Sequence, residues 1–212
     1  MVHKTLLQGS TGFALFAILA AVGCWQAQQA QAYPEPAIVS PSWNLEFEYR
    51  TPQAIAVEDV DGSPRWYWYI RYKVTNHTGD DRLFIPEITV ATDTGKIIET
   101  GQNVPASVFA RIKERERSPL LESPIDVVGR ILQGEDYARE SVAIWPAGRE
   151  PVNELRIFVG GISGETANTE HPGTGETVML RRTRMLTYHL PGKPATPQRQ
   201  PVVFRSERDV MR

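Results

Sequence analysis

The sequence predicts a mainly β fold, an immunoglobulin-like antiparallel β-sandwich with a helical insertion. Three stretches carry this prediction, because apolar and polar residues alternate over residues 43–50, 65–75 and 154–159. Successive side chains of a strand point to opposite faces, so this alternation indicates strands with one buried face. The 212 residues are enough for one domain with tails, and the single cysteine leaves no intramolecular disulfide. Packing alone must therefore hold the sandwich together.

The clearest strand pattern lies in residues 65–95. One face of the first strand carries Trp66, Trp68, Ile70, Tyr72 and Val74. The polar run 76–81 is typical of a turn, and residues 83–92 are expected to return as the second strand of a central hairpin. Pro86 has no N–H to donate, so it predicts a bulge or an edge position within the returning strand.

Residues 103–138 interrupt the β pattern. Residues 105–117 are typical of a helix, with Pro105 at the first position and one apolar stripe formed by Val108, Phe109 and Ile112. This insertion is expected to pack on the β core, within a sandwich domain that spans 42–192. We expect an extended segment at 33–41 and a flexible tail at 193–212, where the composition turns to Pro, Lys, Gln and Arg.

The first 32 residues have the pattern of a signal peptide. Lys4 precedes an uncharged apolar run at 13–22, and Ala30-Gln31-Ala32 offers the small residues that a signal peptidase requires. The mature chain would then begin at Tyr33, and no later segment is apolar enough to cross a membrane. The sequence therefore predicts an exported protein, periplasmic or at the cell surface.

Cys24 leaves an alternative for the same segment. Ala21-Val22-Gly23-Cys24 fits a loose bacterial lipobox, in which the cysteine would be acylated and would anchor the protein. Otherwise Cys24 is a small apolar residue in a discarded peptide.

The charge balance excludes a general nucleic-acid binder. The chain has 23 Lys and Arg against 25 Asp and Glu, and residues 1–32 contain only Lys4 among these. The mature chain thus has 22 against 25, a net charge of −3. Such a balanced chain has no electrostatic footprint for a polyanion.

Three groups of residues offer metal-ligand chemistry, each with a structural alternative. Asp59, Asp61 and Gly62 suggest calcium, but Asp-Gly between two strands is above all typical of a turn. The other two groups are a set of polar turn residues, which could simply be solvated, and a set on one strand that could bind copper or belong to the core. The polar turn residues are His77, Asp80 and Asp81. The residues on one strand are Met179, Met185 and His189. No cofactor is expected.

No catalytic motif is recognisable in the mature chain. It has no cysteine nucleophile, and its histidines, His77, His171 and His189, are scattered. A carboxylate-based hydrolase stays open, because the fold and not the sequence sets the separation of two carboxylates.

The second face of the central strand supplies a candidate binding patch. Tyr67 and Tyr69 lie there beside Arg65 and Arg71, and both residue types are enriched at interfaces. The alternative is that the helical insertion covers this face.

Three segments also carry a resemblance. YWYIRYKVTNHTGDDRLFIPEITVATDTGK, VGRILQGEDYARESVAIWP and IFVGGISGET resemble a family of uncharacterised exported proteins from planctomycete-type bacteria, over about residues 41–192. The Val-Thr-Asn strand end with its Gly-Asp turn is similar to immunoglobulin-like modules of bacterial cell-envelope proteins. The first resemblance implies export and no catalytic residues.

We therefore expect an exported, non-catalytic cell-envelope module. It would bind a protein or glycan partner or act as an assembly component. The alternatives are a periplasmic protein that binds calcium or copper and a carboxylate-based hydrolase.

Overall fold

The computed structural model describes residues 33–59, 61–148, 150–192 and 196–212. The chain divides after Tyr33, and residues 34–212 form one compact unit. The predicted signal peptide, 1–32, and its candidate lipidation site Cys24 lie outside the described residues. Residues 34–41 form neither helix nor strand, and the Ala37 amide donates a hydrogen bond of 2.8 Å to the Glu165 carboxylate.

Strands far outnumber helices in the described part of the chain, which agrees with the predicted mainly β class. In the same part, no helix has the length and apolar character needed to cross a membrane. The strands are β1 (Glu46–Tyr49), β2 (Gln53–Glu58), β3 (Pro64–Thr75), β4 (Arg82–Phe84), β5 (Glu87–Thr92), β6 (Ile97–Glu99), β7 (Gly129–Ile131), β8 (Arg139–Pro146), β9 (Glu154–Gly160), β10 (Thr166–Glu170), β11 (Thr177–His189) and β12 (Val203–Met211). The α-helix is α1 (Ala106–Glu116), and Glu135–Tyr137 and Pro197–Arg199 form single 3₁₀ turns.

The first sheet is built around β3. One edge of β3 pairs with β2 along its first half and with β1 along its last residues, while β8 pairs with the opposite edge. The second sheet has the order β6-β5-β9-β11-β12, and β10 pairs with the first part of β11. All pairings in both sheets are antiparallel, and β4 and β7 form a separate two-stranded ribbon.

The inner faces of the two sheets share one core. The predicted apolar face of β3 lies there, with Trp68, Ile70, Tyr72 and Val74 all buried and Trp66 packed at its margin. The second sheet contributes residues of β5, β9 and β11 to the same core, among them Val90, Ile157, Val159, Leu186 and Tyr188.

The predicted helical insertion covers the outer face of the first sheet. Val108 and Ile112 of α1 are fully buried against Ile55, Tyr67 and Tyr69. The helix ends at Glu116, because Arg117 takes a left-handed conformation and its N–H bonds the Lys113 carbonyl. The domain is therefore layered as a helix on a sheet on a second sheet.

The predicted central hairpin is wrong. After the turn at 76–81 the chain forms β4, breaks at Pro86 and enters the second sheet as β5, between β6 and β9. Asn76 directs this exit, because its buried amide donates hydrogen bonds of 2.9 Å to the carbonyls of Asp80 and Ile131. Periodicity identifies strands, but it does not identify the partner of each strand.

The predicted flexible tail is also corrected, because residues 203–211 form β12 along β11. Asp209 accepts hydrogen bonds from Arg182 at 2.8 Å and from Arg184 at 2.9 Å. Met211 is buried at the end of the strand. The acidic residues Glu207 and Asp209 pair with the arginines of β11, which explains why Arg182 and Arg184 interrupt the apolar pattern of that strand.

Gly161 makes a close approach that a side chain would prevent. It has φ +83°, and a Cβ at this position would collide with the carbonyl oxygen of Ile85. Gly175 has a similar φ of +71° but no neighbour within 4 Å. We expect Gly175→Ala to lower the free energy of unfolding by about 1 kcal/mol and Gly161→Ala by about 3 kcal/mol or more. Urea unfolding of both variants measures the difference, and equal losses would contradict the close approach.

The docking of β12 can be tested with trypsin, since Arg205 and Arg208 are exposed on this strand. A paired strand resists cleavage, whereas a flexible tail is cut at once. Asp209→Asn removes the charge between two arginines, and we expect cleavage to accelerate about tenfold. Asp136→Asn, a change in an exposed turn, is the control. Immediate cleavage of the unchanged protein at Arg205 and Arg208 would show that β12 is not docked.

Candidate interaction site on the β4–β7 ribbon

The binding patch predicted on the second face of β3 is covered by the helix and is not open to solvent. Tyr67 and Tyr69 are each only 1% exposed, because α1 covers them. Arg65 is exposed and forms an ion pair of 3.4 Å with Asp59. The binding role proposed for these residues is therefore wrong, and the alternative of a covering insertion is confirmed.

Arg71 and Tyr69 instead attach the helix to the sheet through Glu116. The Tyr69 hydroxyl donates a hydrogen bond of 2.7 Å to one oxygen of Glu116, and Arg71 donates one of 3.0 Å to the other. Arg71 also bonds Glu140 on β8. Burial opposes the ionisation of Glu116, but the hydrogen bonds from Tyr69 and Arg71 outweigh it and lower the pKa of the Glu116 carboxyl.

This network predicts an acid-dependent stability. The folded-state pKa of Glu116 lies below its ordinary value of 4.5, so ionised Glu116 stabilises the fold above that pH. The stabilisation is lost as the pH falls through the lowered pKa. We expect Glu116→Gln to cost about 2 to 4 kcal/mol at neutral pH and to flatten the fall in stability below about pH 5.

The control is Glu114→Gln on the same helix, since Glu114 is exposed and pairs with the equally exposed Arg111. Unfolding free energies are measured by urea denaturation at a series of pH values from about 3 to about 7. Parallel pH profiles for the two variants would contradict the role of Glu116.

The candidate calcium residues form a turn. Asp61 accepts hydrogen bonds from the Ser63 amide at 2.9 Å and the Ser63 hydroxyl at 2.6 Å, and Gly62 has φ +79°. These hydrogen bonds lower the pKa of Asp61. Its carboxylate thus organises the chain reversal before β3, as the turn interpretation expects.

The other two metal candidates are dispersed. His77 lies 3.1 Å from Glu46, whereas Asp80 pairs with Arg82 and Asp81 with Arg130. On β11, Met179 is exposed and Met185 is buried. Within the described residues, no group of three or more His, Cys, Asp or Glu side chains could hold a metal ion.

Two carboxylates face each other across the half-buried Arg182, and they do not have the pKa direction of a general acid. Glu165 and Asp209 both bond Arg182, at 2.7 and 2.8 Å. Burial opposes the ionisation of both carboxyls, but the hydrogen bonds that they accept lower the pKa of each. Asp209 accepts its hydrogen bonds from Arg184 and Arg182. A general acid at neutral pH needs a raised pKa, so this pair serves to hold β12 and the N-terminal segment.

The β4–β7 ribbon carries apolar side chains on both of its faces. Phe84 and Ile131 point inward and are fully buried in the shared core. Leu83 and Arg130 are directly paired and point outward. Residues of the same outward parity remain open to solvent, with exposed fractions of 64% for Leu83, 49% for Ile85, 45% for Val128 and 40% for Leu132.

We call Leu83, Ile85, Val128, Arg130 and Leu132 the ribbon face. The face has a charged pair within it, because the Arg130 guanidinium lies 3.7 Å from the Asp81 carboxylate and its side chain is 73% exposed. Ile125, which is 83% exposed, adjoins Val128 across a turn closed by the Val128 N–H to Ile125 carbonyl bond. The ribbon face thus carries several aliphatic side chains, and the opposite face of the same ribbon is buried in the core.

The sequence contains one indication of the ribbon face, which the search for alternating residues does not detect. Leu83, Phe84 and Ile85 are three consecutive apolar residues, and a strand of this kind has apolar side chains on both faces. Its partner, β7, lies more than forty residues further along the chain. Only the pairing of the two strands brings their outward residues together.

Comparison of the chain with family models, with curated protein sequences and with solved structures gives no match.

Proposed function

We propose that this protein is an exported, non-catalytic cell-envelope module that binds a protein partner through the ribbon face. The single observation that carries the proposal is the set of exposed aliphatic side chains on a ribbon whose inner face is buried in the core. Large apolar side chains scattered singly on a surface are ordinary, but a contiguous group on one face is typical of an interaction site.

The chemistry of the face favours a protein over a glycan. Leu83, Ile85, Val128 and Leu132 offer no donor or acceptor to the hydroxyl groups of a sugar. They match the apolar centre of a protein interface, with Arg130 as the residue type that such interfaces favour. The inner residues Phe84 and Ile131 are fixed in the core, so binding requires little ordering of the ribbon.

The strand order supports an immunoglobulin-like module. In the first sheet β3 lies between β2 and β8, and in the second sheet β5, β9 and β11 are consecutive neighbours. The chain passes from β3 to β5 and from β8 to β9 between the sheets. This corresponds to the A-B-E and C-F-G groupings of immunoglobulin domains, with α1 as an insertion and β12 as an added strand.

Export is supported by the N-terminal pattern of Lys4, the apolar run 13–22 and Ala30-Gln31-Ala32. Cys24 would offer a lipid anchor in place of cleavage after Ala32. Either route would place residues 33–212 outside the cytoplasm, where a non-catalytic module contributes by holding other proteins.

The experiment compares two substitutions of equal exposure. Leu83 and Ile97 are each 64% exposed, but Ile97 lies on β6 of the second sheet and not on the ribbon. The tagged protein is purified from its own cell envelope after mild cross-linking, and bound proteins are quantified by mass spectrometry. We expect Leu83→Ser to reduce the captured partner about tenfold and Ile97→Ser to leave it unchanged.

An equal reduction by both substitutions would point to general surface stickiness and not to a site. Capture that is unaffected by Leu83→Ser and by Leu132→Ser would place the partner elsewhere on the domain. Thermal unfolding of each variant verifies that the fold is retained.

A further inference from the structure

We propose that the ribbon face binds the ribbon face of a second copy of this chain, so that the module assembles as a two-fold dimer. The inference rests on the proposed function, because it names the partner of the same surface. It is carried by the arrangement of charge on the ribbon.

Four outward positions of the ribbon form a quadrilateral. Leu83 is directly opposite Arg130, and continuing the register from the Arg82–Ile131 pair puts Asp81 opposite Leu132. The two charges, Asp81 and Arg130, therefore occupy one diagonal, and the two leucines occupy the other. Cross-strand and diagonal neighbours on such a ribbon lie within reach of long side chains.

This arrangement is self-complementary. A two-fold axis in the plane of the face, midway between Asp81 and Arg130, exchanges the two charged positions. Each Arg130 then faces Asp81 of the second copy, and the contact occurs twice. The leucines lie close to the same axis, so that apolar side chains meet apolar side chains between the two ion pairs.

Both charges have interaction capacity left within one chain. The Arg130–Asp81 separation of 3.7 Å is an ion pair but is too long for a hydrogen bond. A facing copy would offer each group an oppositely charged partner at closer range, in a site that the surrounding aliphatic side chains shield from water. An unrelated partner would need to match both the apolar residues and the order of the charges, whereas a second copy does so by symmetry.

The test uses two charge reversals, Asp81→Arg and Arg130→Asp, in the protein as purified from the producing cell. Each variant alone gives a dimer in which like charges face each other twice. We expect its dimer dissociation constant to rise about tenfold or more. An equimolar mixture of the two variants restores opposite charges at both contacts, so it is expected to dimerise at concentrations at which each variant alone is mainly monomeric. Sedimentation velocity over a range of concentrations measures all three samples.

A second probe is independent of the charges. Leu83→Cys places a thiol near the proposed axis, and mild oxidation is expected to give a covalent dimer. Ile97→Cys, with the same exposure but on β6, is expected to form no covalent dimer, although its ribbon face still associates.

A protein that is monomeric at every concentration overturns the dimer, as does a dimer that neither charge reversal weakens. Failure of the mixed variants to associate overturns it as well. If the envelope capture experiment still yields a different protein that depends on Leu83, the proposed function stands and only the identity of the partner is wrong.

Discussion

Strand β3 is buried on both of its faces, and most of the architecture depends on that constraint. Its Trp68, Ile70, Tyr72 and Val74 face the second sheet, while Tyr67 and Tyr69 face α1. A strand that is apolar or aromatic on both sides cannot be an outer layer. It requires a cover on each side, which is why the insertion between β6 and β7 folds back as a helix over the first sheet.

The polar groups on the side of β3 that faces α1 explain how the helix is held on the sheet. Tyr69 and Arg71 both bond Glu116 on the helix, and Arg71 also bonds Glu140 on β8. Arg182 plays a comparable part at the other sheet, where it bonds Glu165 and Asp209. A buried charge is tolerated only when it is paired and hydrogen-bonded, so each arginine selects one position for the segment that carries its partner. The helix, the N-terminal segment and β12 are held in this way.

The β4–β7 ribbon differs from β3, because it has apolar side chains on both faces but only one of these faces is covered. Phe84 and Ile131 enter the shared core, and their strand neighbours Leu83 and Arg130 point to solvent because successive side chains of a strand alternate. Asn76 and Pro86 flank β4, and the Asn76 amide hydrogen-bonds the Ile131 carbonyl on β7, so the ribbon is attached to the end of β3 as well as to the core. An exposed apolar face whose backbone is anchored in the core is the combination that suits an interaction module.

The sequence by itself determined the mainly β class, the strands at β1, β3 and β9, the turn at Asp61 and the helix at Ala106–Glu116. These follow from periodicity and turn chemistry, which act between residues close in the chain. Only the tertiary structure decided that β5 leaves β3 for the other sheet, that α1 covers Tyr67 and Tyr69, that residues 203–211 pair with β11, and that β4 meets β7. Each of these depends on contacts between residues distant in sequence. Burial of a face and pairing of charges are settled by which segments meet, and no local pattern contains that information.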